Sequence, residues 1–139
     1  MSDLAASNGP HDLPVAALIG DEVARVPGHA SLLDVAAALT EREIGIVAVG
    51  EGDLPDGVVS ERDIVRAVAR GLDLAATTAS DVAHTELRWV EPDATVGEVA
   101  QEMMSNWVRH VLVGTGGAMV GIVSARDLIG VYASSEDEL

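Results

Sequence analysis

Displaced by 64 residues, the chain falls on itself without a gap. Gly57-Val58-Val59-Ser60-Glu61-Arg62-Asp63 lands on Gly121-Ile122-Val123-Ser124-Ala125-Arg126-Asp127, and Val47, Val49 and Gly50 land on Val111, Val113 and Gly114. The register holds upstream, where Val26 meets Val90, Ala30 meets Ala94 and Val35-Ala36 meets Val99-Ala100. One structural unit has been written twice. Two copies too small to bury an apolar face alone are expected to bury it against each other, so the groove between them is the first place to look for function.

Composition narrows the function classes. At 139 residues and 48% hydrophobic, the chain has material for one compact body built from two half-size units. No apolar run approaches the roughly 18 residues that cross a bilayer, and the start Met1-Ser2-Asp3-Leu4 lacks the basic region of a secretory signal. The expectation is a cytoplasmic protein that does not engage membrane. With no cysteine, a disulfide framework, a thiolate zinc site and a cysteine nucleophile are excluded. The net charge is −15 and all eight basic residues are Arg, a balance that repels nucleic acid and anionic lipid. Solubility accounts for such acidity; a basic partner protein is the sharper alternative.

Within each copy the order of elements is the same. Residues 1–12 mix Ser, Asn, Gly, Pro and charge and read as a flexible arm; the repeats are set at 13–72 and 80–133, joined by a linker at 73–79, with an acidic, frayed tail at 134–139. A short strand is expected over Val23–Val26 and Leu87–Val90, each closed by proline. Ser31 and Thr95 then stand as N-caps with Asp34 and Glu98 three residues on, Glu98 making the fuller capping box. Apolar residues at Leu32, Val35, Ala36 and Leu39, and at Val96, Val99, Ala100 and Met103, give the one-sided spacing of an amphipathic helix. Two β-rich runs follow, Ile44–Val49 with Gly57–Val59, and Val108–Val113 with Met119–Val123. A second helix closes each copy, from Glu61 to Arg70 and from Ala125 to Tyr132.

The chemistry sits where a strand passes into that second helix. Ser and Asp, three apart across the first turn in Ser60/Asp63 and Ser124/Asp127, point back toward the strand ends. A carboxylate there can accept two hydrogen bonds from a vicinal diol, which is ribose chemistry. The helix N-terminus suits phosphate, and Arg62 or Arg126 can clamp phosphate oxygens bidentately. The same residues also read as a capping pair that needs no ligand. Their retention in both copies, while Glu61 has become Ala125, favours a site.

The doubled Gly-h-h-Ser-x-Arg-Asp motif (h is apolar), within the strand-helix-strand-strand-helix order, resembles the cystathionine-beta-synthase (CBS) domain pair, or Bateman module, over roughly Leu13 to Ala133. The resemblance implies an α+β fold: a tandem CBS-domain repeat whose two small sheets pack with pseudo-twofold symmetry and carry flanking helices. It also implies a regulatory sensor of stand-alone type, with no required cofactor. Its ligand would be adenosine-containing (AMP, ADP, ATP, S-adenosylmethionine or an NAD-like molecule), held in the cleft between repeats. Homodimers are implied, together with an effector protein as partner. Carried onto this chain, Asp63 and Asp127 take the ribose hydroxyls with Ser60 and Ser124 assisting. Ile44, Gly45 and Ile46, and Val108, Arg109 and His110, line the nucleobase, with Val58 and Ile122 as apolar walls. The family often has Pro in the strand before the turn, where this chain has Ala48 and Leu112. Gly45 against Arg109 makes the two clefts unequal. A ligand-free interaction scaffold acting through the acidic surface is the rival reading.

Other residues are weaker candidates. His11, His29, His84 and His110 have no metal-ligand spacing, although Arg109-His110 offers two donors for phosphate. Trp89 and Trp107 are expected in the core or a dimer interface, with Met103 and Met104 completing an apolar stripe. With no cysteine, no Gly-x-Ser-x-Gly elbow and no Lys for a P-loop or Schiff base, the chain is not expected to be an enzyme.

Overall fold

The computed structural model describes residues 9–20 and 22–137, with the side chains of 135–137 outside the description. Two compact units emerge. The first is Val23–Leu87; the second joins the described part of Met1–Glu22 to that of Arg88–Leu139.

In the first unit, β1 (Arg25–Val26), α1 (Leu32–Arg42), β2 (Ile46–Val49), β3 (Gly57–Ser60), α2 (Glu61–Ala69) and the short α3 (Ala79–Val82) follow one another. Its sheet has the order β1-β2-β3, with β1 parallel to β2 and β2 antiparallel to β3. The second unit repeats this with β4 (Trp89–Val90), α4 (Val96–Asn106), β5 (His110–Thr115), β6 (Ala118–Ser124) and α5 (Ala125–Asp137). Its sheet order is β4-β5-β6, again parallel and then antiparallel. The α+β repeat expected from the sequence is therefore what the chain folds into. The two sheets differ mainly at the hairpin. Gly116 and Gly117, at φ 61° and 83°, supply the left-handed pair that a tight two-residue turn requires, so β5 and β6 stay paired out to Thr115 and Ala118.

Apolar periodicity explains each core. Leu32, Val35 and Leu39 of α1 pack with Val47, Val49 and Val59 of the sheet, and Val96, Val99 and Met103 of α4 pack with Val111, Val113 and Val123. Caps fix the helix starts: the Ser31 hydroxyl accepts from the Asp34 N–H at 3.1 Å, and Thr95 and Glu98 form a full reciprocal box.

The ends of the compact units do not follow the contiguous ranges 13–72 and 80–133. The lead-in of the first repeat lies in the second unit, where Val15 is fully buried and its N–H donates to the Ala94 carbonyl at 2.7 Å. The lead-in of the second repeat lies in the first unit, where Ala79, 64 residues further on, is fully buried and donates to the Ala30 carbonyl at 2.8 Å. The bridges Pro14 to Thr95 and Ser31 to Thr78 show the same reciprocity. Strand and helix periodicity carries no information about which neighbour an opening segment joins.

Two expectations at the ends change. Of the arm, residues 1–8 lie outside the described residues, while Pro10–Asp12 forms a 3-10 turn beside α4, where Gly97 leaves room for His11. The acidic tail continues α5 to Asp137, since no Gly or Pro interrupts Ser134 to Asp137. Among the described residues no helix is long and apolar enough to cross a membrane.

Candidate functional site

Each unit builds the same junction. Ser60 ends β3 in extended backbone and caps α2; its N–H donates to Asp63 Oδ2 at 2.8 Å, and the Asp63 N–H returns to the Ser60 hydroxyl at 3.4 Å. In the second unit the Ser124 N–H donates to Asp127 Oδ2 at 2.8 Å, and the Asp127 N–H to Ser124 Oγ at 3.0 Å. The next amide anchors the strand that precedes the hairpin: Glu61 N–H donates to the Gly45 carbonyl at 2.9 Å and Ala125 N–H to the Arg109 carbonyl at 2.7 Å. Residues 44–46 are thereby brought beside Ser60 and Asp63, and residues 108–110 beside Ser124 and Asp127. Arg62, Arg126 and Arg109 are exposed, and Ile44, Gly45, Ile46, Val108, His110 and Ile122 are half-buried. Val58 is buried within the first sheet.

Around this shared cap the two carboxylates differ. Asp63 is only 6% exposed and is the buried charged residue of the described chain. Its Oδ2 also accepts the Ser60 hydroxyl at 3.0 Å, while Oδ1 lies 2.7 Å from His84 Nε2 and 3.5 Å from Arg66 Nη1. An ionised carboxylate offers about four lone-pair sites and donates nothing, so Nε2 of His84 carries the proton and Asp63 is filled by groups of its own unit. His84 reaches it because the segment after α3 lies along β3, with Val58 N–H donating to the His84 carbonyl at 3.0 Å and His84 N–H to the Val58 carbonyl at 2.9 Å.

Asp127 is exposed, and its Oδ1 has no hydrogen-bond or ionic partner among the described residues. The counterparts of His84 and Arg66, 64 residues away, are Gly20 and Gly130. The opening segment runs close to the sheet in both units, but by different contacts: a side chain added to Gly57 would meet the His84 carbonyl at 2.8 Å, and one added to Gly121 would meet the Ile19 side chain at Cγ2, 2.8 Å away. The imidazole and the guanidinium are missing, and among the described residues so is the pair of backbone hydrogen bonds that joins His84 to Val58. The neighbouring charge also changes. The Glu61 carboxylate lies 3.7 Å from where a Gly45 side chain would begin; in the second unit those positions are Ala125 and Arg109.

His84 and Arg66 are the site residues that local motif reading passes over, because the motif ends at Asp63 and the histidine arrives from 21 residues downstream. Comparing positions 64 apart exposes both as charged groups replaced by glycine. Neither tryptophan lies in a core of the described chain: Trp89 is 39% exposed with its ring against Gly114, and Trp107 is 93% exposed. Trp107 ends α4 in the left-handed region at φ 55°, as Glu43 ends α1 at φ 54°. A shallow hollow of the second unit, lined by Val90, Glu91, Asp93, Ala94, Glu98, Val99 and Glu102, contains none of the expected site residues. Away from the motif, the Asp81 carboxyl is held below its ordinary value by the Thr78 N–H and then by the Thr78 hydroxyl. Among the described residues no cluster of His, Asp and Glu is arranged to hold a metal.

Comparison with known proteins agrees with this architecture. The CBS domain family profile matches twice, at residues 15–70 and 79–134. Hypoxic response protein 1 of Mycobacterium tuberculosis is 32% identical over 102 residues, which is 72% of this chain and 71% of that protein. A signal-transduction protein with CBS domains from Burkholderia ambifaria superposes with a TM-score of 0.79 at 29% identity, over 86% of this chain and 94% of its own. A CBS domain protein from Pyrobaculum aerophilum, solved as a complex with AMP, superposes with a TM-score of 0.76 at 30% identity, over 88% of this chain and 99% of its own.

Proposed function

The chain belongs to the CBS-domain family, a family of regulatory modules, and from that premise we propose that it senses an adenosine-containing ligand through its Ser-x-Arg-Asp junctions. The observation that carries this reading is the state of Asp127. One oxygen holds the helix cap and the other has no partner among the described residues, on an exposed side chain whose helix start is tied to the Arg109 carbonyl and carries the exposed Arg126. A ribose has two adjacent hydroxyls to donate, and a phosphate has oxygens to accept from guanidinium groups. The AMP complex of the Pyrobaculum aerophilum relative supports a nucleotide of this kind. Ser124 assists at the sugar, and Val108 and Ile122 offer the apolar contact that a flat base requires.

For binding to regulate anything, the ligand must prefer one of two arrangements. The reading therefore includes a homodimer and an effector protein. Exposed Val65 and Val68 on α2, and Ile129 and Tyr132 on α5, support an association surface of this kind.

Titration calorimetry with AMP, ADP, ATP, NAD and S-adenosylmethionine tests the proposal. Saturable binding of at least one, weakened by Asp127→Ala, is the expected result. If none binds at millimolar concentration, the second reading stands: a ligand-free scaffold in which both Ser/Asp pairs act as caps, a reading favoured by the capping geometry present in both units.

A further inference from the structure

The two junctions differ in who occupies the carboxylate, and this rests on, and sharpens, the ligand-sensing reading above. We propose that His84, backed by Arg66, is an internal competitor for Asp63, so that the chain takes one adenosine ligand, at Asp127, and the first unit's junction is closed by its own side chains.

Acceptor capacity carries the argument. Asp63 receives the Ser60 N–H, the Ser60 hydroxyl and His84 Nε2 at 2.7–3.0 Å, with Arg66 at 3.5 Å, which fills the lone-pair sites a carboxylate has. A diol can enter only by displacing a donor already in place. The donors are tethered, which gives them a high effective concentration. His84 is held by two backbone hydrogen bonds to Val58, and Arg66 lies one turn along the same helix. Among the described residues Asp127 receives one donor, the Ser124 N–H, and leaves room for both hydroxyls of a ribose.

Charge reinforces the division. Beside Asp63 the junction carries Glu61 and Gly45; at the matching positions beside Asp127 it carries Ala125 and Arg109. The second junction thus has one carboxylate fewer and one guanidinium more for a phosphate, and the first junction's Arg66 is already engaged with Asp63. The residues that decide which unit binds therefore lie outside the repeated motif, at positions 84 and 66 against 20 and 130.

AMP titrated into wild-type protein is the experiment. The expected stoichiometry is one AMP per chain, lost on Asp127→Asn. Replacing the competitors by the residues of the second unit, His84→Gly with Arg66→Gly, should open a second, weaker equivalent that a further Asp63→Asn removes. Circular dichroism and the thermal midpoint establish that the double variant is folded. His84→Gln keeps a donor at position 84 and should hold the count at one if the glycine variant proves unstable; a second AMP on the glutamine variant counts against closure by a donor. Two AMP per wild-type chain, or a folded double variant that still takes one, overturns the competitor while leaving the ligand reading intact. No AMP or other adenosine ligand on any variant overturns both.

Discussion

The junctions at Asp63 and Asp127 use the same four-residue motif and make the same helix cap, yet one carboxylate is buried under four donors and the other stands open to solvent. The difference is not in the motif. It comes from a segment that approaches β3 with a histidine and from one helical position, three residues on, that is Arg in one unit and Gly in the other. A binding motif thus specifies the shape of a site; whether that site is free is decided by residues remote in sequence.

Stability offers the strongest way to break this comparison. Asp63→Ala removes a cap and the hydrogen bonds to a buried charge, an expected loss of about 3 kcal/mol, measured by urea denaturation; a loss no greater than that of Asp127→Ala would mean that His84 and Arg66 contribute nothing. Val15→Ala should cost about 2 kcal/mol from the lost methyls and the cavity they leave. Its protection loss in amide exchange should fall on β5 and β6, and loss confined to β2 and β3 would contradict the exchange of lead-ins. Asp127→Ala is expected to cost about 1 kcal/mol, the value of a cap alone, while weakening AMP binding by about tenfold or more, as loss of hydrogen bonds to a charged group requires.

The smallest effect lies in the lead-ins themselves. Thr78 and Asp81 cap α3, whereas their counterparts Pro14 and Ala17 form no side-chain cap. The lowered Asp81 pKa means that its stabilisation is present above the ordinary value of 3.8 and is lost as the pH falls through its folded value. Asp81→Asn should flatten the acid limb of the first unit's stability curve, and an unchanged limb would remove the cap from the account.

Much of this was legible in the sequence. The 64-residue repeat, the one-sided helices, the β-hairpins and the cap at Ser60 and Ser124 are local patterns with local causes, and each element sits within a few residues of its expected place. Residues 44–46 and 108–110 do come to the helix starts, because a backbone amide in each case ties them there. What periodicity does not carry is tertiary choice. Nothing in the spacing around His84 says that its ring will meet Asp63, and nothing around Val15 says whose core it will enter. Trp107 shows the same gap from the other side: its helical spacing from Met103 leaves core and interface open, and the structure removes the core, with Trp107 in the left-handed region at the end of α4 and 93% exposed.

The crossed lead-ins have a bearing on how such a chain can change. A fragment cut at the repeat boundary would keep Val15 without the pocket it fills and would lack the Ala79 its own helix start depends on. Neither copy can be discarded without damaging the survivor. Duplication, once threaded in this way, works as a ratchet: the halves are free to differ in chemistry, one carrying an imidazole where the other has glycine, because they are no longer free to separate.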